Sequence, residues 1–177
     1  MSEVDVIIEI SKGSHIKYEY DKERNMIICD RILHTPMKYP FNYGFIPNTL
    51  SEDGDPLDVV VLMDDELVPG CMVKCKILGY LDTRDDSGND PKIIVRPITK
   101  IDPTFGDLNC IKQLLQNHTL NKIEYFFKHY KDLEHKSVTV GYFYNKTDAI
   151  QIYSDAKNRF KYNTAQKNKI THYFKRV

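Results

Sequence analysis

The sequence predicts an α+β fold that is mainly β, a small barrel of short strands with helices packed beside it. Three observations lead there: period-two alternation at the N-terminal end, short apolar runs separated by Gly, Pro and Asp turns up to residue 103, and helical spacing after it. One domain spanning 1–177 is expected, because 177 residues suffice for a single core and no repeat or linker divides them.

Over residues 4–32, Val4, Val6 and Ile8 interleave with Asp5, Ile7 and Glu9, and Ile16, Tyr18 and Tyr20 with Lys17, Glu19 and Asp21. With turns at 11–14 and 21–25 this predicts a three-stranded meander ending near Arg31, with Lys17 and Glu19 on one face. Residues 34–54 hold Pro36, Pro40, Pro47, Gly44 and Gly54, which leaves little room for a helix and predicts a long functional loop. Residues 59–62 form a short apolar strand, 68–70 a turn, and 72–81 and 92–98 two strands flanking an acidic loop at 82–90. Five or more short strands in one sheet system point to a small barrel. Beyond Pro103, Ile111, Leu114 and Leu115, then Ile123, Phe126, Phe127, Tyr130 and Leu133, predict two helices with Asn121-x-x-Glu124 as a capping box between them. Residues 138–144 read as a last strand, and 147–160 as an amphipathic helix with Ala149, Tyr153, Ala156 and Phe160 on one stripe. The lysine-rich tail, 161–177, carries no pattern that sets its conformation.

Lys plus Arg is 25 and Asp plus Glu is 25, so no bulk field draws the chain to nucleic acid or an anionic membrane, and any bound anion must be held by local clusters. The four cysteines, Cys29, Cys71, Cys75 and Cys110, contain no Cys-x-x-Cys pair and read as buried free thiols. The opening Met-Ser-Glu-Val-Asp lacks the basic and apolar segments of a signal peptide, and no run approaches a membrane span, so a cytoplasmic location is expected.

The strongest local signal is Asp53-Gly-Asp-Pro-Leu-Asp58, three carboxylates in six residues just before an apolar strand. Gly54 permits an unusual backbone angle and Pro56 extends Asp55, so the acids can converge at the strand's start. Acids this close repel unless neutralised, and oxygen-only ligands suit Mg²⁺ better than softer metals. A solvated acidic turn is the competing reading. An EF-hand fits worse, because Asp58 and Asp64 stand where its loop needs Gly and Glu. A second cluster, Asp85-Asp-Ser-Gly-Asn-Asp-Pro-Lys92, lies in a hairpin loop and taken alone reads as an exposed polar turn. Two such clusters on one small barrel could hold several hard cations about 4 Å apart, clamping both sides of a phosphoryl transfer. Lys17, Arg31 and Tyr130-Lys131 each read alone as surface groups; phosphate needs such donors, with hydroxyls such as Tyr39 and Tyr43 to orient its oxygens. No Gly-rich phosphate loop, Ser-His-Asp order or His-Glu-x-x-His motif is present.

Ile8-Glu-Ile10, Ile16-Lys-Tyr-Glu19, Asp30-Arg31, Tyr39-Pro-x-Asn-Tyr-Gly44, Asp53-Gly-Asp-Pro-x-Asp58, Asp85-Asp-x-Gly-x-Asp-x-Lys92 and Phe126-Phe-x-His-Tyr-Lys-Asp-Leu-Glu134 resemble, in order and spacing, the family I soluble inorganic pyrophosphatases. The likeness covers most of residues 4–134 and implies a five-stranded OB-type barrel with flanking helices. It also implies Mg²⁺-dependent hydrolysis of pyrophosphate to two phosphates, with several Mg²⁺ ions per active site. By this resemblance Asp53, Asp58 and Asp90 bind the tightest metal, with Asp58 bridging to a second. Asp85 and Asp90 would hold a metal that arrives with substrate, and Glu9 would act on the metals through water. Asp55 would be the general base. Lys17 and Tyr43 would hold the phosphate under attack, and Arg31, Tyr130 and Lys131 the leaving one, with Tyr39, Glu19, Asp86 and Lys92 in support. Likeness to compact bacterial-type members implies a homo-oligomer, a hexamer favoured, with no nucleic-acid or membrane partner. The chain departs from the family pattern at Ser11, where proline is common, at Asn89, where an acid is common, and at His135-Lys136-Ser137, where the Gly-Lys-Trp segment is missing.

Two other classes compete. A nucleic-acid-binding barrel should show a basic, aromatic-lined groove, whereas the loops here are acidic. A calcium-binding structural domain would leave Lys17, Arg31 and Lys131 without a role.

Overall fold

The computed structural model of the chain describes residues 2–86, 88–114 and 118–174, with 167–174 by their backbone alone. Five strands close into a barrel. β1 (Glu3–Ile10) lies antiparallel between β4 (Asn42–Ile46) and β6 (Met72–Asp85). β5 (Leu57–Val61) pairs antiparallel with β4 and parallel with β8 (Lys92–Pro97), and β8 returns antiparallel to β6. In chain order the ring runs first, second, third, fifth, fourth, with its third and fifth strands parallel, which is the OB arrangement.

The alternation in β1 buries Val4, Val6, Ile8 and Ile10 and leaves Asp5, Ile7 and Glu9 half-buried. β8 is buried throughout, Lys92 and Arg96 included, and β5 everywhere but Asp58, because both faces of these strands are covered. On one strand face Val60, Leu78, Leu81 and Ile94 pack with Leu120, Ile123, Phe126 and Phe127 of α1 (Thr119–His129). On the other, Val59, Val61, Ile77, Ile93 and Val95 pack with Ala149 and Ala156 of α2 (Lys146–Phe174). Where β1 crosses β4, a Cβ on Gly44 would lie 1.9 Å from the Ile7 carbonyl oxygen, so only glycine lets the two backbones meet.

The expected meander does not form. β2 (Ile16–Asp21) and β3 (Met26–Ile32) make a separate two-stranded ribbon. Period two identifies strands but not their partners. Here the turn after β1 docks elsewhere: the Gly13 amide donates to the Tyr39 carbonyl at 2.8 Å, and the Tyr39 amide to that of Ser14 at 2.8 Å. Ser11 donates its hydroxyl to the Leu67 carbonyl at 2.7 Å. Residues 34–54 hold no helix but include β4, buried at all five positions, with Pro40 and Pro47 outside its ends. β6 runs past its expected end at residue 81 to Asp85, where it pairs with the short β7 (Gly88–Asn89), and β9 (Thr139–Tyr144) also lies on it.

Of the two helices expected after Pro103, residues 111–114 form only a 3₁₀ turn, and Leu115 lies outside the described residues. The capping box is absent: Asn121 sits inside α1, whose N-cap, His118, makes no side-chain cap. α2 continues through most of the tail, to Phe174. The thiols are free, but of the four only Cys75 is buried, and Cys29 is exposed. Among the described residues no helix is long and apolar enough to cross a membrane.

Candidate active site

A cavity of ≈ 290 Å³ opens where the β2–β3 ribbon, the loop before β5, the β6–β8 connection and the end of α1 meet. All the residues singled out from the sequence line it except Arg31 and Asp86. Asp86 is exposed in the turn after β6. Arg31, at the end of β3, pairs with Asp30 and, at 2.8 Å, with Glu134.

The acids come from four segments. Gly54 adopts φ +95°, and the Asp55 amide donates to Asp53 Oδ1 at 2.9 Å, folding the turn that delivers both carboxylates. Asp55 also lies 3.3 Å from the Lys22 ammonium. Burial, then the nearby Asp55 and Asp58, raise the Asp53 pKa. Asp58 projects from β5, accepting the Tyr43 hydroxyl at 2.6 Å and the Lys92 ammonium at 2.5 Å. Lys92, itself buried, reaches Asp90 at 2.5 Å as well, so one internal cation joins the two acidic motifs. Although burial opposes its charge, Asp58 and Asp90 hold its pKa above the usual value. Burial pushes the Asp90 carboxyl up to about 7 despite Lys92, with Asp58 adding to the rise. Glu9, from β1, is pushed up to about 8 by burial and then by Asp58; its Oε1 accepts the Tyr20 amide at 2.8 Å and ties the ribbon to the barrel. Asp85, at the end of β6, faces Lys131 at 3.3 Å.

The remaining lining is cationic, phenolic or apolar. Lys17 pairs with Glu19 within β2 and reaches Asp30 at 3.3 Å. Tyr39, Tyr43 and Tyr130 are buried phenols whose pKa values burial raises. Sequence reasoning missed Tyr18, Tyr20, Lys22, Phe45, Pro56 and Phe127. Strict alternation would turn Tyr18 and Tyr20 away from Lys17 and Glu19, yet all four line the cavity.

Among the described residues, seven carboxylates and four ammonium groups line this one cavity. Like charges so close favour a bound cation, and an all-oxygen donor set suits a hard divalent ion. Asp53, Asp58, Asp85, Asp90 and Glu9 are the residues available to hold one. Among the described residues no three His, Cys, Asp or Glu side chains close on a common point; Lys92 stands between Asp58 and Asp90.

The inorganic pyrophosphatase family model matches residues 6–161. The chain is similar to the inorganic pyrophosphatase of Saccharolobus solfataricus, 52% identical over 132 residues that cover 75% of this chain and 76% of that one. It is also similar to the Helicobacter pylori inorganic pyrophosphatase, 50% identical over 152 residues covering 85% and 87% of the two chains. A solved structure of the Helicobacter pylori protein has a TM-score of 0.87 to this fold at 47% identity, over 90% of this chain and 94% of that chain.

Proposed function

The chain belongs to the inorganic pyrophosphatase family, and we propose that it splits pyrophosphate into two phosphates with Mg²⁺ held by Asp53, Asp58, Asp85, Asp90 and Glu9 and with Asp55 as general base. The observation that carries this reading is the excess of seven carboxylates over four ammonium groups in one cavity. A polyanionic substrate would be repelled from such a site unless divalent cations came with it. Mg²⁺, when bound, supplies that charge and the Lewis acidity that brings the pKa of water toward neutrality.

The chain's own residues then have defined tasks. Asp55 takes a proton from water as its oxygen bonds to one phosphorus; the bridging P–O bond breaks and the second phosphate departs. Lys17 and Tyr43 hold the phosphate under attack. Tyr130, Lys131 and Arg31 hold the leaving one, and Tyr39, Glu19 and Lys92 keep these donors in position. Phosphate release from pyrophosphate tests the reading. Turnover is expected with Mg²⁺, very little with Ca²⁺, which prefers longer bonds and is a weaker Lewis acid, and none in excess chelator. Undiminished turnover in chelator would refute it.

Assembly and location belong to the same proposal. A homo-oligomer, a hexamer favoured, would cover exposed apolar side chains such as Val68, Met72 and Tyr142. Light scattering at micromolar concentration should return a multiple of the chain mass; a monomer mass contradicts this. A cytoplasmic location suits a chain whose cysteines are free, since thiols persist in reducing compartments.

A further inference from the structure

Glu134 lies outside the cavity, yet it is a carboxylate with a side chain only 4% exposed. It ends the 3₁₀ turn Asp132–Glu134, three residues after Lys131, and His135 follows in a left-handed conformation with φ 53° that turns the chain away. Its Oε2 accepts Arg31 Nη2 at 2.8 Å. Its Oε1 and Arg31 Nε are buried with no hydrogen-bond partner among the described residues. The pair therefore meets through one prong, while Asp30 takes Nη1 on the other side of the guanidinium. Asp30 also accepts Lys17 Nζ at 3.3 Å, so Glu19, Lys17, Asp30, Arg31 and Glu134 form one line of alternating charge. Arg31 stands close enough to Tyr39 and Tyr130 for its charge to act on both hydroxyls.

Burying an incompletely bonded ion pair contributes little to fold stability, because desolvation of both ions offsets their attraction. Orientation is a better account of it. A guanidinium carries five N–H donors in a rigid plane, and acids on both terminal nitrogens fix that plane while other N–H groups remain for a ligand. We propose that Glu134 is a positioning residue, one that aims the Arg31 guanidinium at the phosphate group leaving the cavity. The inference rests on the reading of Arg31 as a ligand of that phosphate.

The test compares Glu134→Gln, Arg31→Gln and the double variant, measuring kcat/KM for pyrophosphate with Mg²⁺, the inhibition constant of inorganic phosphate, and the thermal midpoint. Each single variant should weaken phosphate inhibition and lower kcat/KM by about 10-fold, and the double variant should be no worse than Arg31→Gln alone. Glu134→Asp, which keeps the charge on a shorter arm, should recover part of the loss and guards against Glu134→Gln failing to fold. A Glu134→Gln protein with a lower midpoint but parental kinetic constants would overturn the inference, as would losses that add in the double variant. Parental constants in Arg31→Gln would instead remove the assignment of Arg31 itself, and the inference with it.

Discussion

Asp55 stands between two acids assigned to metal, with a side chain 76% exposed at the mouth of the cavity, where water reaches it. Replacing it by Asn keeps its size and one acceptor but removes its basicity. Asp55→Asn should therefore cost on the order of 100-fold or more in kcat while Mg²⁺ affinity stays near the parent's. Asp58 differs, since it faces Tyr43, Lys92 and the other acids at once. Asp58→Asn should weaken Mg²⁺ binding as well as kcat. Turnover at saturating Mg²⁺ and pyrophosphate, with a parallel Mg²⁺ titration, separates the two; near-parental kcat in Asp55→Asn contradicts its role. These carboxylates were legible because they lie within six residues of one another in sequence. Lys92 was legible only as part of a motif, since its contact with Asp58 joins positions 34 apart. Lys22 lies in a polar turn like any other, and nothing local signals that it meets Asp55.

Among the elements, β4 and the ribbon separate what patterning can predict from what it cannot. Gly44 looked like punctuation in a proline-rich loop, yet it lies in mid-strand where the β1 backbone passes against it. Gly44→Ala should force β1 and β4 apart and cost on the order of 3 kcal/mol or more. Gly70→Ala is the control: its φ is +88° with nothing within 4 Å of the added carbon. That change should cost only about 1–2 kcal/mol, from left-handed backbone strain alone. Urea unfolding midpoints decide, and equal losses at both positions would mean that the crossing can relax. Strand existence could be read from β1, β2, β3, β5, β6 and β8 because alternation and β-branched runs are local. The partners of β1 are remote, and no local period encodes them.

For the molecule as a whole, a mainly β barrel with helices was legible from the switch in periodicity. The energetics of assembling so many acids at one end were not. Glu9 and Asp90 are raised from 4.5 to about 8 and from 3.8 to about 7. A carboxyl raised on folding contributes stability that is full below its unfolded pKa and lost as pH climbs through the folded one. In protein stripped of divalent ions, the thermal midpoint should therefore carry a declining contribution between about pH 4 and 8 from these two groups. Glu9→Gln should flatten that decline, and Mg²⁺ should raise the midpoint most at the alkaline end, where the acids are ionised. A Glu9→Gln profile parallel to the parent's would contradict this.

Barrel closure also bears on how fast the chain reaches this state. Glu3 pairs with Lys76 and Ile7 with Met72, so the first strand made waits for a partner some seventy residues later. The β5–β8 pairing is parallel and likewise spans a long intervening stretch. Entropy is lost in closing these loops before the contacts that repay it form, which slows the search for the native topology. Once the ring is shut, no single strand can leave without breaking two ladders, which opposes opening strand by strand.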